Sequence, residues 1–193
     1  MPGTYRTIPP EERSDANLKS MMIIRLSVKL ATKLKIGKLP SVPLADNPIN
    51  DWSAHLFTSN RSQYIILCNS VSMYSCLMFG KGISNESTFI SQTLSTIREF
   101  MDADGNETVY DTCIAPSSGL FTFAKALNRS VTGSMNDHIH GAKLYLEMNK
   151  SPHDVGFQLN TTPLSSLANS DGRKYANPNE AFALLKARLA EPS

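Results

Sequence analysis

The sequence predicts an α+β domain: a small, mainly antiparallel sheet, built from a three-stranded meander and one or two further strands, covered by three to four helices. Two observations carry that expectation. Between Trp52 and Phe79 the chain is rich in Ile, Leu, Met, Tyr and Phe and is broken by polar turn signals, whereas on either side apolar residues recur at helical spacing. No repeat or low-complexity run interrupts the pattern, and the composition excludes collagen, coiled coil and wholesale disorder.

Taken in order, residues 1–20 hold Pro9, Pro10, mixed charge and few large apolar side chains, so they are expected to form a flexible arm ahead of a single domain over 21–193. Met21 to Leu26 reads as a buried strand. Ser27 then suits a helix cap, with Val28, Leu30, Ala31 and Leu34 on a helix that Gly37, Pro40 and Pro43 end. The meander follows as Trp52–Ser59, Gln63–Cys68 and Val71–Phe79, with turns at Ser59-Asn60-Arg61-Ser62 and Asn69-Ser70. Ile90, Leu94, Ile97 and Met101 line one face of a helix from about Asn85 to Asp102, closed by Gly105. A short helix near Glu107 to Ile114 and a strand within Leu120 to Leu127 come next. Met135, Ile139, Ala142 and Leu146 make the core stripe of a helix over Met135 to Met148, started by Ser134 and Asp137 as a weak capping box, with Leu144 and Met148 nearly opposite that stripe. The last helix begins at Asn177, Pro178 and Glu180, buries Phe182, Leu185 and Leu189, and stops at Pro192.

The 193 residues carry 19 Lys plus Arg against 17 Asp plus Glu, a net charge of +2. That is far from the strongly basic balance that marks a nucleic-acid protein. No apolar stretch is long enough to span a bilayer and no signal-peptide core opens the chain, so a cytoplasmic protein without membrane contact is expected. Cys68, Cys76 and Cys113 form no C-x-x-C pair and read as buried reduced thiols. The N-x-[ST] triplets at Asn60, Asn85, Asn106, Asn128 and Asn160 read as turns and caps.

The familiar catalytic and binding motifs are incomplete in this chain. Asp102, Asp104 and Asn106 imitate the opening of a calcium loop, but the sixth position is Glu107 and the twelfth Cys113, where the loop needs Gly and Glu. Gly80-Lys81-Gly82 lacks the spacing of a phosphate loop, and no Ser lies in a nucleophile elbow. His138 and His140 diverge on a helix, so they cannot share a metal, and no cofactor is expected.

Two segments remain as candidate sites. The segment Asn128 to His138 runs from a strand end into a helix start, where unpaired amides attract anions. There Arg129 suits a bidentate grip on phosphate or carboxylate, and Ser130, Ser134 and Asn136 suit hydrogen bonds to a ligand or partner. His138, with Asp137 to orient it and His140 nearby, is the candidate general base of an enzymatic alternative. Against this stands a purely architectural reading of caps, a tight turn at Gly133 and an ion pair of Arg129. The second segment, Lys19 to Lys38, carries Lys19, Arg25, Lys29, Lys33, Lys35 and Lys38 without an acid, and serves either as a solvated face or as a contact surface through Lys29 and Lys33.

Four pieces of the chain resemble a known family. Met22-Ile23-Ile24-Arg25, the Trp52 segment from Asp51 to Leu56, Asn128 to Asp137 (an N-R-S-V-x-G-S-M-N-D pattern) and Leu159 to Leu167 (L-N-x-T-P-x-S-x-L) are similar to an uncharacterised bacterial domain-of-unknown-function family, across roughly residues 22 to 190. The resemblance implies a compact α+β domain from a bacterium or mobile element and transfers no activity. The arm over 1–20 departs from the family's usual Met-Ile-Ile start, which makes Met21 or Met22 an alternative initiator.

With no complete catalytic constellation, the sequence favours a binding or regulatory protein, antitoxin-like or an inhibitor of a bacterial or phage system, that acts through another protein. An enzyme on a phosphorylated or nucleic-acid substrate, independent of metal, is the first alternative. Nucleic-acid binding through residues 19–38 is the second.

Overall fold

Five consecutive apolar-rich residues, Met22–Leu26, are all buried and form a strand at the heart of the sheet, as expected of a strand covered on both faces. The computed structural model describes residues 6–7, 21–167 and 176–190. Of the expected arm, only Arg6–Thr7 are described. They form strand β1, and the rest of the arm lies outside the described residues. Met22–Leu26 is β2. Ser27 caps the short helix α1, Val28–Lys33, by accepting from the Leu30 amide, and a loop then leads through a 3₁₀ turn, Pro48–Asn50, into β3, Asp51–Ser59.

The meander forms where the sequence predicts it. β3 pairs antiparallel with β4, Ser62–Asn69, and β4 with β5, Ser75–Phe79. Asn60 and Arg61 both have positive φ between the paired Ser59 and Ser62, the geometry of a two-residue hairpin whose twist matches its strands. The second turn is longer than expected, so β5 starts at Ser75 rather than Val71. The buried Asn69 side chain accepts from Val71 and Ser72 and donates to the Pro48 carbonyl, which holds those residues off the ladder.

α2, Glu86–Ala103, is capped by Asn85 and buries Ile90, Leu94, Ile97 and Met101, the stripe read from sequence. Three short helical turns, Glu107–Val109, Tyr110–Ile114 and Ala115–Ser117, lead to β6, Leu120–Ala124. α3, Arg129–Glu147, α4, Pro152–Asn160, and α5, Pro178–Ala190, follow. In α5, Phe182 and Leu185 are buried as expected, but Leu189 is exposed.

The strand order is β1-β6-β2-β3-β4-β5. The longest ladders are antiparallel, while β6, β2 and β3 run parallel to one another. Period-two alternation sends Trp52, Ala54 and Leu56 to one face, under α1, α2 and α5, where Trp52 Nε1 donates to the Ile49 carbonyl. Phe57, Ile66 and Leu77 go to the other face, under α3 and α4. Helices therefore cover both faces.

Candidate functional site

After β2 the chain turns onto the first face as α1, and after the neighbouring parallel strand β6 it passes to the second face as α3. Where adjacent parallel strands send their helices to opposite faces, a crevice opens beyond the strand ends, the usual place for a ligand in sheets of this kind. Here it is a cleft of about 740 Å³ above Leu26. Val28, Ile36 and Leu39 make its apolar wall, and Lys29, Lys125 and His55 supply its polar rim. Val28 is 82% exposed, an unusual position for a large apolar side chain. No carboxylate lines the cleft, and neither lysine has an acidic partner among the described residues. The His55 pKa is lowered by burial and then by the charge of Lys29, so its imidazole is neutral near pH 7.

One wall of the cleft is fixed by a buried ion pair. Arg25 Nε and Nη2 each donate to Asp51 at 2.7 Å, Nη2 also donates to the Pro43 carbonyl, and Nη1 donates to the carbonyls of Val42 and Lys125. Asp51 accepts in addition from the Ala45 amide. Arg25 thus leaves the basic surface on which it was counted, because it sits inside β2 with its charge fully partnered. The signal was present: a lone Arg in an otherwise apolar strand requires an acid elsewhere.

The segment Asn128 to His138 folds differently from expectation. Helix α3 starts at Arg129, two turns early, because Asn128 rather than Ser134 is the cap and accepts from the Val131 amide at 2.9 Å. Gly133 lies inside the helix with open space around it instead of forming a tight turn. Val131 extends the stripe of Met135, Ile139, Ala142 and Leu146 by one turn, and that was the available sequence signal.

The candidate residues then separate. Arg129 and Ser130 are exposed on the first turn, and Thr132 beside them lines the cleft. Arg129 forms no ion pair with a described residue, contrary to the architectural reading. Asn136, Asp137 and His140 are exposed further along α3. Ser134 is buried, back-bonded to the Ser130 carbonyl and against Ser166, so it presents no surface to a partner. His138 is also buried: Nδ1 lies 3.0 Å from Ser75 Oγ, which itself donates to the Met73 carbonyl, and Nε2 has no hydrogen-bond partner among the described residues. Burial lowers its pKa to about 4, and Asp137 does not contact it. Lys29 faces the cleft, whereas Lys33 is half-buried and donates to Gln63.

The other sequence motifs are structural. Asp102 pairs with Arg98, and Asp104 accepts from the Tyr74 hydroxyl. Cys68 and Cys76 are buried, with the Cys68 thiol pushed up to about 12 by burial, while Cys113 is partly exposed rather than buried. Among the described residues, no three His, Cys, Asp or Glu side chains converge as a metal site, and no helix is long and apolar enough to cross a membrane.

A family model, Domain of unknown function (DUF6933), matches residues 23–181. The chain belongs to this family. The DUF6933 match spans α1 to α4 and nearly all of β2 to β6, so both walls of the cleft belong to the family domain. No curated protein matches the chain.

Proposed function

We propose that this DUF6933 protein is a regulatory binding protein that works by contact with another protein, the partner presenting an acidic group beside an apolar anchor to the cleft between β2 and β6. The observation that carries this reading is the pair Lys29 and Lys125 on an apolar cleft without a carboxylate. Cations on a low-polarity wall, without an acidic partner among the described residues, favour an anion and reject a cation, and they steer encounter as well as holding the complex. Arg129 and Ser130 stand on the helix turn adjoining the cleft and extend the same surface. The setting we favour is a bacterial or phage system of the antitoxin or inhibitor kind.

Turnover is the weaker reading because His138, its only candidate base, is sealed from solvent. The nucleic-acid reading of residues 19–38 loses Arg25 to the core. The test is native purification from the source cell of the wild type and of the double variant Lys29→Glu, Lys125→Glu. A stoichiometric protein partner that the variant fails to retain, at unchanged melting temperature, supports the proposal. A wild type free of any protein partner, or a partner held equally by the variant, overturns it.

A further inference from the structure

The cleft between β2 and β6 is built on fixed main chain. Lys35 has a φ of +57°, and the Ile36 amide reaches back to the Ala31 carbonyl at 3.0 Å, a left-handed helix end that turns Ile36 onto the apolar wall with Val28 and Leu39. Lys125 is held from both sides: its amide donates to the Pro40 carbonyl at 2.9 Å, and its carbonyl accepts from Arg25 Nη1 at 3.3 Å. Lys29 stands on the first turn of α1, and neither lysine has an acidic partner among the described residues. The wall between them is aliphatic. No Phe, Tyr or Trp lines the cleft, so it offers a base or another flat ring no platform for stacking.

We propose that this cleft is a small-molecule site for an aliphatic anion, its carboxylate or phosphate head paired with Lys29 and Lys125 and its alkyl chain laid on Val28, Ile36 and Leu39. The two lysines fix the sign of the head, and the aliphatic wall fixes the body. A volume of about 740 Å³ falls within the range of small-molecule sites, and an alkyl chain there covers Val28, which otherwise stands in solvent. The other large cleft, of about 510 Å³ between β5, α2 and α4, carries Glu99 as well as Lys81 and selects for no sign. The inference rests on the same cleft as the protein-contact reading and deepens it by naming a free ligand. The two fail separately: absence of a protein partner bears on that reading alone, and absence of ligand binding to the purified chain on this one alone.

The test titrates the isotope-labelled full chain with octanoate and with octyl phosphate, each as monomers, and follows its amides by NMR. Saturable shifts at Val28, Ile36 and Thr132 are expected, with a Kd of about 1 mM or tighter, and the tighter of the two probes names the head. Affinity rises about fourfold for each methylene added between hexanoate and octanoate. Octylammonium, the same chain with the opposite head, binds about tenfold or more weakly, a comparison made on the wild type. Lys29→Glu with Lys125→Glu weakens octanoate binding by about tenfold or more at unchanged melting temperature. No saturable shift with either probe up to about 10 mM, equal binding of octylammonium, or shifts confined to Phe79 and the other cleft overturns the proposal.

Discussion

Arg25 and Asp51, twenty-six residues apart in sequence, meet through two 2.7 Å hydrogen bonds with both side chains almost wholly buried. Their remaining polar atoms are taken up by the carbonyls of Val42, Pro43 and Lys125 and by the Ala45 amide, so the pair holds the loop before β3 and the end of β6 against β2. Removing one charge strands the other in the core. Asp51→Ala is expected to destabilise the protein by about 3–5 kcal/mol, and the double variant Arg25→Met, Asp51→Leu by much less. Denaturant unfolding of the single and double variants measures the difference.

Asn160 provides a second long-range tie, through the two bonds to Ser75 at the edge of β5. Asn160→Leu leaves a buried amide and carbonyl unsatisfied at a cost of about 2–4 kcal/mol. Amide exchange at Ser75 reports the lost pairing directly, and an unchanged rate there would contradict the assignment.

The buried His138 makes stability depend on pH. Its folded pKa of about 4 lies below the ordinary value of 6.5, so between those values the unfolded chain binds a proton that the folded protein refuses. Stability from this residue is therefore complete above about pH 6.5 and declines as pH falls toward 4, by about 2 kcal/mol between pH 7 and pH 5. Urea unfolding of the wild type and His138→Gln at both pH values isolates that share from the carboxylates, and parallel losses in the two proteins would refute it.

Gly156 in α4 lies against the ring of the buried Phe100, where a Cβ would come within 2.5 Å of Cζ. Gly156→Ala is expected to cost about 1–3 kcal/mol through overpacking, more than the gain in helix propensity returns. Gly133→Ala in α3, with open space around it, is expected to stabilise by about 0.5–1 kcal/mol. Thermal melts of the two variants should shift in opposite directions.

Arg129 is exposed and unpaired among the described residues, so its loss should leave the fold alone. Arg129→Ala is expected to weaken complex formation while unfolding stays cooperative and the melting temperature changes little. A variant that fails to fold would return Arg129 to an architectural role.

Much of this fold was legible in the chain because its elements announce themselves locally. The stripe Ile90, Leu94, Ile97 and Met101, the Asn60-Arg61 turn and the cap at Asn177 each depend on neighbours within a few residues. The start of α3 differs from the sequence expectation for a related reason: Ser134 with Asp137 and Asn128 with Val131 both have the local pattern of a cap, and burial of Val131 selects the earlier one. The candidate site was less legible. Lys29 and the first turn of α3 were marked by charge and by polar composition, but nothing local says that Thr132 shares a cleft with Lys29, or that Lys125 and His55 complete it.

The sequence by itself determined which stretches become strands and helices and which faces they bury, since amphipathic period and capping act over one or two turns of chain. Tertiary structure alone decided that β6 inserts beside β2 in parallel and that Arg25 takes Asp51 as its partner. It also sealed His138 behind Ser75 and left Phe79 exposed at the end of β5. These outcomes turn on which distant surfaces meet. A periodic pattern records that a residue will be buried, while burial against a charge, a hydroxyl or nothing at all depends on the chain brought opposite it.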